Sequence, residues 1–166
     1  MPTESHDSSS DRQLDDLIGG GQTIAMVMTM VGGRHTSRPV TCAEVVDGRV
    51  SFLVSNEVDW VKDIAAGRAV VHVTVADESK NTYLALNGSA FLTQDREECA
   101  RLWTPIARAW FEGPDDPTLG VLRFVVADGE YWDGPSGMIG KALGLARAVL
   151  TGDERAGGSH GSVSTT

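Results

Sequence analysis

The sequence predicts a mainly β domain: an antiparallel barrel of six or seven strands with flanking helices. Short apolar stretches of strand length recur along the chain, and several are separated only by turn-forming residues such as Asp47-Gly48. Helical periodicity appears late and in two places, whereas a parallel α/β sheet would alternate it with every strand.

The elements follow in order. Residues 12–18 read as a short helix stopped by Gly19, Gly20 and Gly21. Residues 23–31, TIAMVMTMV, form a β-rich apolar run that turns at Gly32-Gly33. Residues 37–46 and 49–54 are two strands joined across Asp47-Gly48, a strong hairpin signal because glycine tolerates positive φ. Residues 58–66 read as a short helix closed by Gly67. Two more alternating strands follow at 69–75 and 82–92, joined by the polar loop 76–81. Over residues 94–110 the period changes. Cys99, Leu102, Trp103, Ile106, Ala107 and Trp110 fall on one helical face, acidic residues occupy the first turn, and Pro105 is placed to kink or split the helix. Residues 120–127 and 130–132 read as the last strands. A helix over 136–150, with Ile139, Leu143, Ala146 and Leu150 on one face, closes a single domain spanning 11–152. Residues 1–10 and 153–166 are rich in Ser, Gly, Thr and polar groups and read as disordered tails.

Composition sets bounds on function. The chain has 166 residues, 41% of them apolar, which suits one packed domain. Its formal net charge of -9 argues against binding a nucleic-acid backbone, which needs clustered Lys and Arg. No apolar run approaches the roughly 18 residues that span a membrane, and the start does not resemble a signal peptide, so a cytoplasmic location is expected. Cys42 and Cys99 show no metal-ligand spacing and read as buried free thiols.

No motif by itself declares an enzyme. The glycines at 19–21 precede a strand instead of linking a strand to a helix, so they fit no phosphate loop. His6, His35, His72 and His160 are scattered and build no metal site. Trp103 and Trp110 lie on the apolar helical face, where core or dimer interface is expected. Trp60, beside polar residues, and Trp132, just before a Gly-Pro turn, stand where an aromatic ring could border a ligand. No nucleophile is paired with a base, and no catalytic residue is assigned.

Several stretches carry a resemblance: Thr36-Ser37-Arg38-Pro39-Val40, Phe52-Leu53-Val54-Ser55, Tyr83 to Ala90 with its Asn87-Gly88 step, and Trp103-Thr104-Pro105. Ala109-Trp110-Phe111-Glu112-Gly113-Pro114-Asp115-Asp116-Pro117 and Glu130-Tyr131-Trp132-Asp133 complete the set. From Ile24 to Asp133 the chain resembles the general-stress-protein branch of the flavin-binding pyridoxamine 5'-phosphate oxidase-like split barrels. The resemblance implies a homodimeric split β-barrel with flavin mononucleotide (FMN) bound at the dimer interface. It implies that Arg38, Pro39 and Val40 lie along the flavin on one strand and Val54 and Ser55 on the next. It also implies that Tyr83 and Trp132 approach the ring from one protomer or the other.

One segment departs from the family pattern. Where relatives supply a hydroxyl and a basic residue to the flavin phosphate, this chain carries Val58, Asp59 and Trp60. Asp59 would repel a phosphate, and Val58 offers no side-chain donor. Three readings stay open on this basis. The chain is a flavin-dependent oxidoreductase acting on an unknown small molecule; a dimer that has lost flavin and uses the interface cleft for another apolar or aromatic ligand; or a structural stress-response dimer without a ligand.

Overall fold

The computed structural model describes residues 14, 16–18, 23–133 and, as backbone, 159–164. Six strands close into an antiparallel barrel: β1 (Ile24–Val31), β2 (Arg34–Val46), β3 (Arg49–Ser55), β4 (Val70–Asp77), β5 (Thr82–Thr93) and β6 (Leu119–Asp133). Their spatial order is β3-β2-β1-β4-β5-β6, and β3 pairs with β6 to complete the circuit. The expected antiparallel barrel is thus the observed one.

Local chemistry explains the corners. Asp47 and Gly48 both hold positive φ, 49° and 67°, the tight turn whose twist matches the flanking strands β2 and β3. The ladder slips by one residue between Cys42 and Glu44 in β2 and between Asn87 and Gly88 in β5. Such bulges bend strands and help a small barrel close. At Gly88 the strands approach so closely that an added Cβ would stand 2.0 Å from the Val125 carbonyl oxygen.

Strand alternation separates an inner from an outer surface. Inside, Val27, Val50, Phe52, Val73, Leu86, Leu122 and Phe124 are fully or almost fully buried. The same core takes in Leu14, Leu17 and Ile18 near the N-terminus, and Val61 and Ile64 from helix α1 (Asp59–Ala65). A second cluster lies outside the barrel. Cys99 and Leu102 of helix α2 (Arg96–Leu102), with Ala107 and Phe111, cover Leu119 and Val121 of β6 and touch Ala43 and Leu53. Asp95 caps α2 by accepting from the Glu97 and Glu98 amides.

The structure settles one open point of the sequence reading, the kink or split expected at Pro105, and differs from it at two further places. The helix read over 94–110 splits after Leu102, and a 3-10 turn, Pro105–Ala109, takes over behind an extended Thr104. Proline disfavours helical geometry in the residue before it, so the break falls there. The two strands read at 120–127 and 130–132 are one continuous strand, β6, running through Gly129. Within the segment read as a disordered tail, residues 153–166, strand β7 (Ser159–Ser164) pairs with Asp128–Asp133 of β6. Backbone pairing along an edge needs no apolar pattern, which is why composition missed it. The glycine stop at 19–21, the tail at 1–10 and the helix at 136–150 lie outside the described residues. No helix among the described residues is long and apolar enough to cross a membrane.

Candidate functional site

The split between α2 and the 3-10 turn opens a cleft of about 360 Å³ against β2 and β3. One wall is β2 from Arg38 to Ala43 with Leu53, Val54 and Ser55 of β3. Val58 and Trp60 close one end, and Thr104, Ile106, Ala107, Trp110 and Phe111 form the opposite wall. The size falls in the range of small-molecule sites, roughly 300–1,000 Å³.

Six residues expected at the site, Arg38, Pro39, Val40, Val54, Ser55 and Trp60, meet in this one cleft. Hairpin register explains the first five, since β2 and β3 are neighbours joined at Asp47-Gly48. Tyr83 and Trp132 do not join them. They stand directly opposite each other on β5 and β6, on the outer face, and do not line the cleft of this chain. The far wall went unread. The apolar stripe over 94–110 placed Ile106 and Trp110 on a buried helical face, but the break at Pro105 turns both outward. Trp110 is 71% exposed at the mouth of the cleft. The proline was the available signal, since a broken stripe cannot keep one face.

Arg38 anchors one end. Its guanidinium donates to the Val27 carbonyl (3.3 Å), to the Thr29 hydroxyl (2.9 Å) and to the Thr36 hydroxyl. Its carbon lies 4.7 Å from the centre of the Trp60 ring, a cation–π stack. Burial lowers the Arg38 pKa from its ordinary value, though an arginine stays charged throughout the physiological range. Asp59, expected to leave the phosphate space negative, is exposed and lines no part of the cleft, and Lys62 is exposed as well. Trp60 does reach the cleft, where it also packs on the barrel core.

Proton-transfer chemistry is absent from the described walls. They hold no carboxylate and no histidine. The buried Cys42 thiol is pushed up to about 12 by desolvation, with its own backbone hydrogen bond opposing weakly, so no thiolate forms near neutrality. The Ser55 hydroxyl accepts from the Glu57 amide at 3.3 Å and has no base beside it. His72, on the outside of β4, bonds Asn87, which bonds Asp128, each at 2.7 Å. No group of three or more His, Cys, Asp or Glu that could hold a metal occurs among the described residues. The described walls are largely apolar, with the Arg38 guanidinium at one end.

A model of the family described as pyridoxamine 5'-phosphate oxidase like matches residues 9–156. The chain belongs to this family. Among solved structures, one assigned as general stress protein 26 from Jannaschia sp. CCS1 is 25% identical, with a TM-score of 0.72 over 95% of this chain and 96% of that one. The general stress FMN/FAD binding protein of Xanthomonas citri shares the fold at 23% identity, with a TM-score of 0.61 over 78% of this chain and 91% of that one. The Neurospora crassa protein bli-3 is 24% identical over an alignment of 130 residues that covers 72% of this chain and 62% of that protein. This family member thus matches less than two thirds of the curated relative.

Proposed function

We propose that this family member is a flavin-dependent oxidoreductase that works as a homodimer, with the flavin in the cleft between β2–β3 and the 3-10 turn. The observation that supports it most is the convergence of Arg38, Pro39, Val40, Val54, Ser55 and Trp60 in one cleft of suitable volume. Their types fit the group. Val40, Val54, Val58 and Trp110 offer apolar surface to an isoalloxazine ring, and the hydroxyls of Thr41, Ser55 and Thr104 suit a polyol chain. A bound flavin supplies the electron transfer, and the chain holds the ring, shapes access to it and limits water around it.

Dimerisation accounts for Tyr83 and Trp132. Both are partly exposed on the barrel's outer face, from which they would reach the cleft of a second protomer. Asp59 stands clear of the cleft, so the reading in which charge repulsion excludes flavin loses its support. The test is direct. The purified protein should show the absorbance of oxidised flavin and release flavin on denaturation, or bind added flavin mononucleotide stoichiometrically. Colourless protein that binds no added flavin would refute the proposal.

A further inference from the structure

We propose that this site recognises flavin by its ring and polyol chain and gains little from the terminal phosphate, so that riboflavin and flavin mononucleotide bind with similar strength. The inference rests on the flavin reading above. Three observations carry it.

Arg38 is the one charged residue lining the cleft among the described residues. A phosphate with nearly two negative charges is ordinarily held by several donors and cations together. Here the remaining polar side-chain groups of the walls are all neutral: the hydroxyls of Thr41, Ser55 and Thr104, the Cys42 thiol and the indole N–H groups of Trp60 and Trp110. Hydroxyls both donate and accept, which matches a polyol better than an anion.

The Arg38 guanidinium is already engaged. Of its five N–H donors, three bond the Val27 carbonyl and the Thr29 and Thr36 hydroxyls. Thr29 is 1% exposed, so the group is drawn toward the inner side of β1 and β2. Its flat face is covered by Trp60. Swinging it onto a phosphate would strip the buried Thr29 hydroxyl of that bond and unstack Trp60. The guanidinium serves to hold Trp60 as the end wall of the cleft.

The start of α1 is a poor substitute. The helix has only seven residues and opens on a carboxylate, Asp59. The amides of Val61 and Lys62 already donate to the Val58 carbonyl, both at 3.1 Å. Lys62 thereby makes the first ordinary helical bond and Val61 takes up one of the first-turn donors that hold phosphates at helix starts, while the Asp59 carboxylate stands beside the donors that remain.

Titration of the full chain, freed of any bound flavin, with riboflavin and with flavin mononucleotide separates the possibilities by quenching of flavin fluorescence. The two dissociation constants should agree within about tenfold, whereas a phosphate held by two charge-assisted bonds would favour flavin mononucleotide by roughly a hundredfold or more. A preference above tenfold would overturn the inference and leave the flavin reading standing. Failure of both ligands to bind would overturn the flavin reading itself and this inference with it. Arg38→Gln adds a second readout. Loss of the Trp60 support should weaken both ligands by the same factor, and a selective loss of flavin mononucleotide would assign Arg38 to the phosphate.

Discussion

The barrel is apolar on two of its outer sides, and the described residues cover only one of them. Over β2, β3 and β6, helix α2 and the 3-10 turn bury Cys99, Leu102, Ala107 and Phe111 against Leu53, Leu119 and Val121. Polar pins hold this cover at its edges. Arg101 pairs with Glu44, Arg123 with Glu98, and Arg96 donates to the Asp116 and Leu119 carbonyls at 2.8 Å each. Over β1 and β4 the outer positions Ile24, Met26 and Val70 remain exposed, with Met28 and Met30 half-buried between them. Tyr83 and Trp132 continue this side across β5 and β6. Both sides arise from the same alternation of strand residues. Where the chain supplies its own cover, the break at Thr104-Pro105 leaves a cleft; where none of the described residues does so, the surface suits a second protomer.

The contrast can be broken most forcefully from inside. Phe124, fully buried in the barrel and 2.9 Å from where a Gly88 Cβ would stand, supports both sides at once. Phe124→Ala should cost about 3–5 kcal/mol in urea unfolding and abolish ligand binding with the fold. Retained stability would mean the barrel core collapses around the loss.

Leu102→Ala removes a buried anchor of the cover alone. It should cost about 2–3 kcal/mol, and flavin affinity should fall by tenfold or more because the wall carrying Ile106 and Trp110 loses its seat. Unchanged affinity in a folded variant would show that the wall stands without α2.

Met28→Glu tests the uncovered side. Its neighbours in the sheet are Ser37 and His72, so a carboxylate there meets solvent in a monomer but is desolvated in an interface. Self-association in sedimentation should weaken at least tenfold, with monomer stability changed by no more than about 0.5 kcal/mol. An unaltered association constant would move the interface elsewhere.

The smallest effect concerns the pins. The hydrogen bond from Arg101 holds the Glu44 carboxyl below its ordinary value of 4.5; burial opposes it, and the charges of Arg101, Arg123 and Arg49 add to the lowering. A carboxyl lowered on folding stabilises the protein above its unfolded pKa, and that contribution fades as pH falls through the folded one. Glu44→Gln should therefore cost about 0.5 kcal/mol at neutral pH and almost nothing once pH is well below 4.5. Paired urea melts across that window check it, and an equal cost at both ends would remove the ion pair from the account.

Much of the barrel was legible because each strand carries its own signature. Period-two alternation marks which residues face inward, and Asp47-Gly48 specifies both the turn and the pairing of β2 with β3. The wall of the cleft from Arg38 to Ser55, with Trp60 just beyond it, was legible through the family resemblance of its motifs, and the hairpin register is what brings those residues together. The break of the helix at 94–110 was legible in Pro105, but its consequence for the far wall was not. Apolar periodicity continued through Pro105, but the backbone did not, and Trp110 left the buried face. β7 was missed because an edge strand needs only backbone donors and acceptors.

By itself, then, the sequence determined most of the strand-forming segments, the hairpin at Asp47-Gly48 and, through its motifs, the resemblance to the family. The tertiary structure alone decided that β3 closes onto β6, with Leu53 opposite Val121. It alone brought Thr104 to Phe111 over Arg38 to Ala43, and left Tyr83 and Trp132 as a pair away from that cleft. Alternation is a local property that follows from backbone geometry. Which distant strands meet depends on the summed packing of the whole core, and no short window of residues contains that sum.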